Sequence, residues 1–224
     1  MESPITSIKF IHKAIRTECG SLEQAVEMFD AEGDARAVDL ARRFAFLSDM
    51  VKTHEDGEED ALFPAMDSRI YPISAPYLLD HRVDQLHMQE IGQSFERLAT
   101  TADATGRADV MRALWRQAIA INSAMTLHIR KEEEILVPLV EKNFSVDEQK
   151  AIVSQAISHF TPEQMQVGLP WIIKALEPQE QEGYLRMMME EMPPPVFRAA
   201  TQWIAAGVSA AQWAEIVRRL PEAA

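Results

Sequence analysis

His54-Glu-Asp-Gly-Glu58-Glu-Asp-Ala-Leu62-Phe-Pro64 returns 74 residues later as His128-Ile-Arg-Lys-Glu132-Glu-Glu-Ile-Leu136-Val-Pro138. Both stretches read H-x-x-x-E-E-x-x-L-x-P. The likeness continues upstream. Leu40, Phe44, Leu47, Val51, His54, Glu58 and Ala61 follow three-and-four spacing, and Leu114, Ala118, Ile121, Met125, His128, Glu132 and Ile135 stand at the same offset. That spacing is the period of an amphipathic helix. In each copy a histidine and a glutamate take consecutive slots of the apolar stripe, where positions i and i+4 are neighbours. A carboxylate carried into a core without a partner is costly. A bound cation would supply that partner, and a glutamate suits bridging between two metals.

Helical periodicity extends outward from the repeat, and strand signals are almost absent. The pattern predicts helices over about Pro4–Phe29, Ala35–Ala65, Tyr77–Ala99 and Ala108–Val140. The turn at Glu32–Asp34 and the loops Ser68–Pro76 and TTADATGR separate them. Four long helices with short connections predict an all-α, up-down-up-down four-helix bundle over residues 1–144. Residues 145–224 predict a C-terminal helical extension packed on the bundle. Its shorter helices break at Ser145, Thr161–Pro162, Pro178 and Pro193–Pro195, and it carries Phe160, Trp171, Phe197, Trp203 and Trp213.

Two further histidines fall on bundle helices. His12 stands in the stripe Ile5, Ile8, His12, Ile15, Cys19, Leu22, Val26, and His81 in Leu78, His81, Gln85, Met88. One histidine from each odd helix and one H-x-x-x-E from each even helix make a two-fold set: His12, His54, Glu58, His81, His128 and Glu132. A mixed imidazole and carboxylate set without thiolates argues against structural zinc of the cysteine type. Imidazole suits iron, zinc, copper and nickel. Carboxylates and histidines directed into a bundle core are typical of paired iron or manganese sites, and four imidazoles favour iron.

These residues match the H…HxxxE…H…HxxxE signature of the hemerythrin-like (HHE cation-binding) family. HIRKEEEILVPLVEKNFSVDEQKAIV and VGLPWIIKALEPQEQ are similar to the hemerythrin domains of plant BRUTUS-type iron-sensing ubiquitin ligases, and the likeness covers about residues 5–185. The resemblance implies a hemerythrin-like bundle holding two Fe ions, bridged by the two glutamates and an oxo or hydroxo group. It also implies reversible interaction with O2 or another small diatomic, or iron and oxygen sensing. No cysteine-rich RING or zinc-finger portion stands in these residues, so ligase activity does not carry over. Oxygen-carrying relatives have five histidines and an aspartate among their ligands. Four histidines and two glutamates depart from that, leaving His87, Glu55 or water open as a fifth ligand and weakening simple oxygen carriage. A di-iron enzyme acting on peroxide, nitric oxide or oxygen is the alternative. No catalytic residue is singled out.

The other polar features read more plainly. Of the charges around Glu58–Asp60 and Lys131–Glu134, only the i+4 glutamates belong inside. Cys19 reads as a small buried hydrophobe, the methionines at 187–189 and 192 as core filling or a partner surface, and His159 as structural. HEDGE is not the HExxH of zinc proteases. The 224 residues carry a formal net charge of −13, so nucleic acid and anionic membrane are not expected partners. A single cysteine excludes an internal disulfide and suits a reducing cytoplasm. The opening residues lack the apolar run of a signal peptide. A protein partner or homodimer through the C-terminal extension stays open.

Overall fold

The computed structural model describes residues 3–28 and 34–224. Among them there are only helices and turns, as expected of an all-α chain. Their contacts form two compact units: Ile15–His159, and the described residues up to Ala14 with Phe160–Ala224.

The first unit is the bundle. α1 (Ile8–Glu27) follows a 3-10 turn at Pro4–Ser7. α2 (Asp34–Gly57), α3 (Phe63–Arg69), α4 (Ala75–Thr100), α5 (Ala104–Lys131), α6 (Val137–Asn143) and α7 (Val146–Ile157) come next. The turn expected at Glu32–Asp34 lies, up to Gly33, outside the described residues. Side-chain pairs fix the helix directions. Arg16 pairs with Glu133 while Glu23 accepts from Asn122, so α1 and α5 run antiparallel. Gln85 donates to Glu55 while Phe95 packs on Phe44, so α2 and α4 do too. Asp80 meets Lys131 and Asp84 meets His128 between α4 and α5. This is the up-down-up-down arrangement. The apolar stripes meet in its core at Ile15, Leu47, Met50, Leu98, Leu114 and Met125, all essentially inaccessible to solvent.

α2 and α5, the second and fourth long helices of the bundle, each lead into a break in period. Glu58–Leu62 and Glu132–Leu136 are π-helical segments, joining α2 to α3 and α5 to α6. The repeat's prolines explain them. Pro64 and Pro138 have no N–H for the carbonyls of Asp60 and Glu134, four residues back, and their rings crowd those carbonyls. A wider turn relieves the clash by inserting one residue. The insertion rotates the next stretch of helix by about 100°. Ile135, expected on the core stripe, is therefore 47% exposed, and Leu136 is buried in its stead.

α7 belongs to this unit, which runs past the division expected after residue 144. Ser145 and Glu148 form a capping box at its start. Gln155 Nε2 donates to the Asp60 carbonyl at 3.0 Å, satisfying the group that Pro64 leaves unpaired. A Cβ on Gly57 would stand 2.7 Å from the Ala156 carbonyl oxygen, so the close approach of α7 to α2 requires glycine there.

The second unit contains α8 (Pro162–Ala175), α9 (Pro178–Glu191), α10 (Pro194–Gly207) and α11 (Ala210–Arg219). Leu169, Ile173, Leu185, Met188, Phe197, Ile204 and Ile216 form its core. Met187, Met189 and Met192 pack against that core with Trp203 and Trp213, so these methionines fill space. The first turns of α1 join this unit. Phe10 packs on Tyr184, Lys13 pairs with Glu180, and Ala14 clusters with Ile172 and Leu176. No helix among the described residues is long and apolar enough to cross a membrane.

Candidate metal centre

The two π segments start at the two repeat glutamates. Each wide turn comes after a histidine one turn earlier, so α2 presents His54 and Glu58 and α5 presents His128 and Glu132. Glu58 and Glu132 are buried at 2% and 1% exposure. Ligand atoms of His54, Glu58 and Glu132 all lie within 4.8 Å of one another. A second set under the same limit joins Glu55, His81 and His128. The sets abut. Glu58 Oε1 is 3.6 Å from His54 Nε2, and its Oε2 is 3.4 Å from His81 Nε2. Glu132 Oε1 is 3.0 Å from His128 Nε2 and 3.9 Å from His81 Nε2. His12 lies on α1, fully buried, in the stretch that clusters with the second unit.

The polar atoms facing this space are poorly satisfied. Both carboxylate oxygens of Glu58, Oε1 of Glu55 and Nε2 of His81 are buried without a hydrogen-bond partner. Buried polar atoms are normally paired, and leaving a carboxylate unpaired is costly. The Glu58 oxygens face imidazole nitrogens at distances too long for a good hydrogen bond. Nitrogen and oxygen atoms directed at a common point from buried walls fit a cation between them.

The outward nitrogens of two histidines are held by carboxylates. His128 Nδ1 meets Asp84 Oδ2 at 2.7 Å, with Asp84 buried at 1% exposure. His81 Nδ1 meets Glu59 Oε1 at 2.9 Å. Such contacts fix the tautomer and leave Nε2 facing the pocket, the arrangement common behind metal-bound imidazoles. Gln85 donates to Glu55 Oε2 at 3.0 Å and orients that carboxylate.

The electrostatics show how strongly the pocket calls for positive charge. Burial lowers the pKa of His81, but the Glu132 and Glu58 carboxylates outweigh it and push it up to about 11. Burial likewise opposes protonation of His128, yet Asp84 and Glu132 push it up to about 10. Burial pushes Glu55 up to about 8, against the pull of His81 and Gln85. The protein thus holds protons tightly where a cation would otherwise sit.

Sequence reasoning undervalues three acids. Glu55, one of three options for an extra ligand, stands with His81 and His128. Asp84 and Glu59 are not anticipated by it; the signal for Asp84 is its place three residues after His81, on the same helix face. His87 is turned away, with its Nδ1 3.9 Å from Glu90. His159 lies beside Asp60 Oδ2 at 3.3 Å, and Cys19 is buried in the bundle core.

Comparison with known proteins points the same way. The family model described as the hemerythrin HHE cation binding domain matches residues 3–140. The chain is 29% identical over 193 residues to one zinc finger protein BRUTUS-like of Arabidopsis thaliana, covering 86% of this chain and 15% of that protein. It is 31% identical over 185 residues to a second BRUTUS-like protein of the same plant, covering 80% and 14%. It is 28% identical over 194 residues to the zinc finger protein BRUTUS, covering 85% and 15%. The chain therefore spans about one seventh of the length of these relatives. No solved structure matches.

Proposed function

The chain belongs to the hemerythrin HHE cation-binding family, and on that premise we propose that it holds two non-haem iron ions in the bundle and uses them to bind or sense oxygen or iron. His12, His54, Glu58 and Glu132 would hold one ion, and Glu55, His81 and His128 would hold the other, with Glu58 and Glu132 standing next to both sets. Glu58 carries the reading: its two buried oxygens lack hydrogen-bond donors, and each faces the Nε2 of a different histidine. His12 enters through the sequence signature and the family match. It lies one turn before Ile15 on α1, and Arg16, four residues on, pairs with Glu133.

Iron ions held by these residues would supply reversible binding of a small diatomic, or would report iron supply by their occupancy. The chain's own residues set the terms. Asp84 and Glu59 hold two imidazoles in the tautomer that presents Nε2. Leu47, Met50, Val51, Met88 and Met125 keep bulk water from the core. The test is spectroscopic. Iron-loaded protein is reduced without air and then exposed to air and degassed in cycles. A visible band that appears and disappears with oxygen is the expected result. Iron-loaded protein that shows no response to oxygen overturns the oxygen reading and leaves iron sensing by occupancy, and rapid turnover of peroxide or nitric oxide overturns both in favour of an enzyme.

A further inference from the structure

A groove of about 550 Å³ opens on the outside of the bundle between α2 and α4, lined by Ser48, Val51, Lys52, Arg82, Gln85, Leu86, Met88 and Gln89. Its floor includes Val51 and Met88, both buried, and its wall includes Gln85. Gln85 also donates to Glu55 Oε2. Glu55 is 1% exposed, has a second oxygen without a partner, and groups with His81 and His128. One amide side chain thus stands between an open groove and the inner carboxylate.

The rim is cationic in a chain of net charge −13. Arg82 and Lys52 border it. Lys52 is held by Asp56, whereas Arg82 donates from Nε to the Leu78 carbonyl of its own helix, which leaves its terminal guanidinium donors for a ligand. Amides from Gln85 and Gln89 and the Ser48 hydroxyl supply further polar groups. One guanidinium and several amide donors over an apolar floor suit a small organic anion with oxygen donors.

We propose that this groove is the port through which the metal beside Glu55 is exchanged with small anionic chelators, and that Gln85 is its gate. The inference rests on the paired-metal reading. When Gln85 swings aside, Glu55 loses the amide donor and faces the groove. A chelator carboxylate held at Arg82 then competes with Glu55 for the metal. Bonds to the metal are exchanged without any redox step, and Glu55 keeps its charge. A metal held by His54 would sit beside Glu58, to which Gln85 does not donate, and would not respond to this gate.

The experiment uses the full chain loaded with ferrous iron without air, and metal content is measured first. Iron loss is then followed by the colour of an anionic disulfonated chelator and, separately, of neutral bipyridine. In the wild type half of the iron leaves in a faster phase. Gln85→Ala speeds that phase about tenfold, the scale of one lost hydrogen bond to a charged group, and leaves the slower phase unchanged. Arg82→Glu, at an exposed position, slows loss to the anionic chelator and not to bipyridine. Gln89→Trp, also exposed, fills the groove and slows both. With about two irons per chain, a single release phase unmoved by all three substitutions overturns the port and leaves the paired site standing. A chain that takes up no iron overturns both.

Discussion

Replacing Asp84 with Asn tests whether the buried acids behind the histidines serve the metal. Asp84 is buried and its Oδ2 lies 2.7 Å from His128 Nδ1. Asparagine matches its shape, and its carbonyl still accepts from Nδ1–H, so the ring stays in place and only the charge is lost. Adding the imidazole ring and a metal–nitrogen bond of about 2 Å puts the carboxylate roughly 7 Å from the metal. At an effective dielectric of about 20, a unit charge at that distance from a divalent ion contributes roughly 5 kcal/mol before desolvation. Keeping a carboxylate buried offsets part of this, and losing such a partner behind a metal-bound histidine typically weakens affinity by about 10- to 100-fold. That range, about 1.4–2.8 kcal/mol, is the expected loss. It falls on the metal bound by His128 and spares the one bound by His54. Competition against a chelator of known affinity, with the metal counted at each step, separates the two. Equal weakening of both metals, or of neither, refutes the reasoning.

Three more outcomes are expected from particular contacts. Glu55, His81 and His128 hold protons more tightly in the folded chain, at about 8, 11 and 10 against ordinary values of 4.5, 6.5 and 6.5. The folded state therefore binds more protons than the unfolded one across this window, so the stability of the metal-free protein falls as pH rises: from pH 4.5 to 8 through Glu55, and from 6.5 to about 11 through the histidines. Urea midpoints at about pH 6 and pH 9 check this, and an equal or higher midpoint at the upper pH contradicts it. Metal uptake runs the opposite way, because ligands must shed their protons, and calorimetry in buffers of different ionisation enthalpy reads that release. Gly57→Ala forces a methyl group against the Ala156 carbonyl, and urea unfolding is expected to show a loss of about 1–3 kcal/mol. Cys19, 2% exposed with burial pushing its thiol up to about 12, is expected to resist iodoacetamide at about pH 8 until the chain is unfolded.

The helices and their inward stripes are legible in the sequence because apolar residues recur at the helical period and because Pro, Ser and Thr mark the breaks. Ser145 and Thr161 each cap a helix at an expected break, whereas the cap at Ser209 is not among the expected ones. The repeat also points to the buried glutamates, since a charged residue in an apolar stripe needs a reason. The period hides its own interruption. A stripe extrapolated through Pro64 and Pro138 puts Ile135 inside, where the π turn puts Leu136. The prolines are visible, but whether a proline kinks a helix or widens it depends on what receives the freed carbonyl, and at Asp60 that is Gln155 of α7. The same dependence hides the place of α7, which is held by the Gly57 approach, the Gln155 amide and the Arg69–Glu148 ion pair. Glu55 and Asp84 sit at the flank of the stripe, where sequence gives no way to tell a solvated acid from one facing a histidine on another helix.

Metal content is the most direct test of the paired site. Wild-type protein and the Glu58→Ala and Glu132→Ala variants are loaded with ferrous iron without air, freed of loose metal and assayed for iron per chain, with circular dichroism to show that each is folded. Close to two irons are expected in the wild type, with loss of the pair in both folded variants. A wild type without iron, or variants that keep both ions, contradicts the paired site.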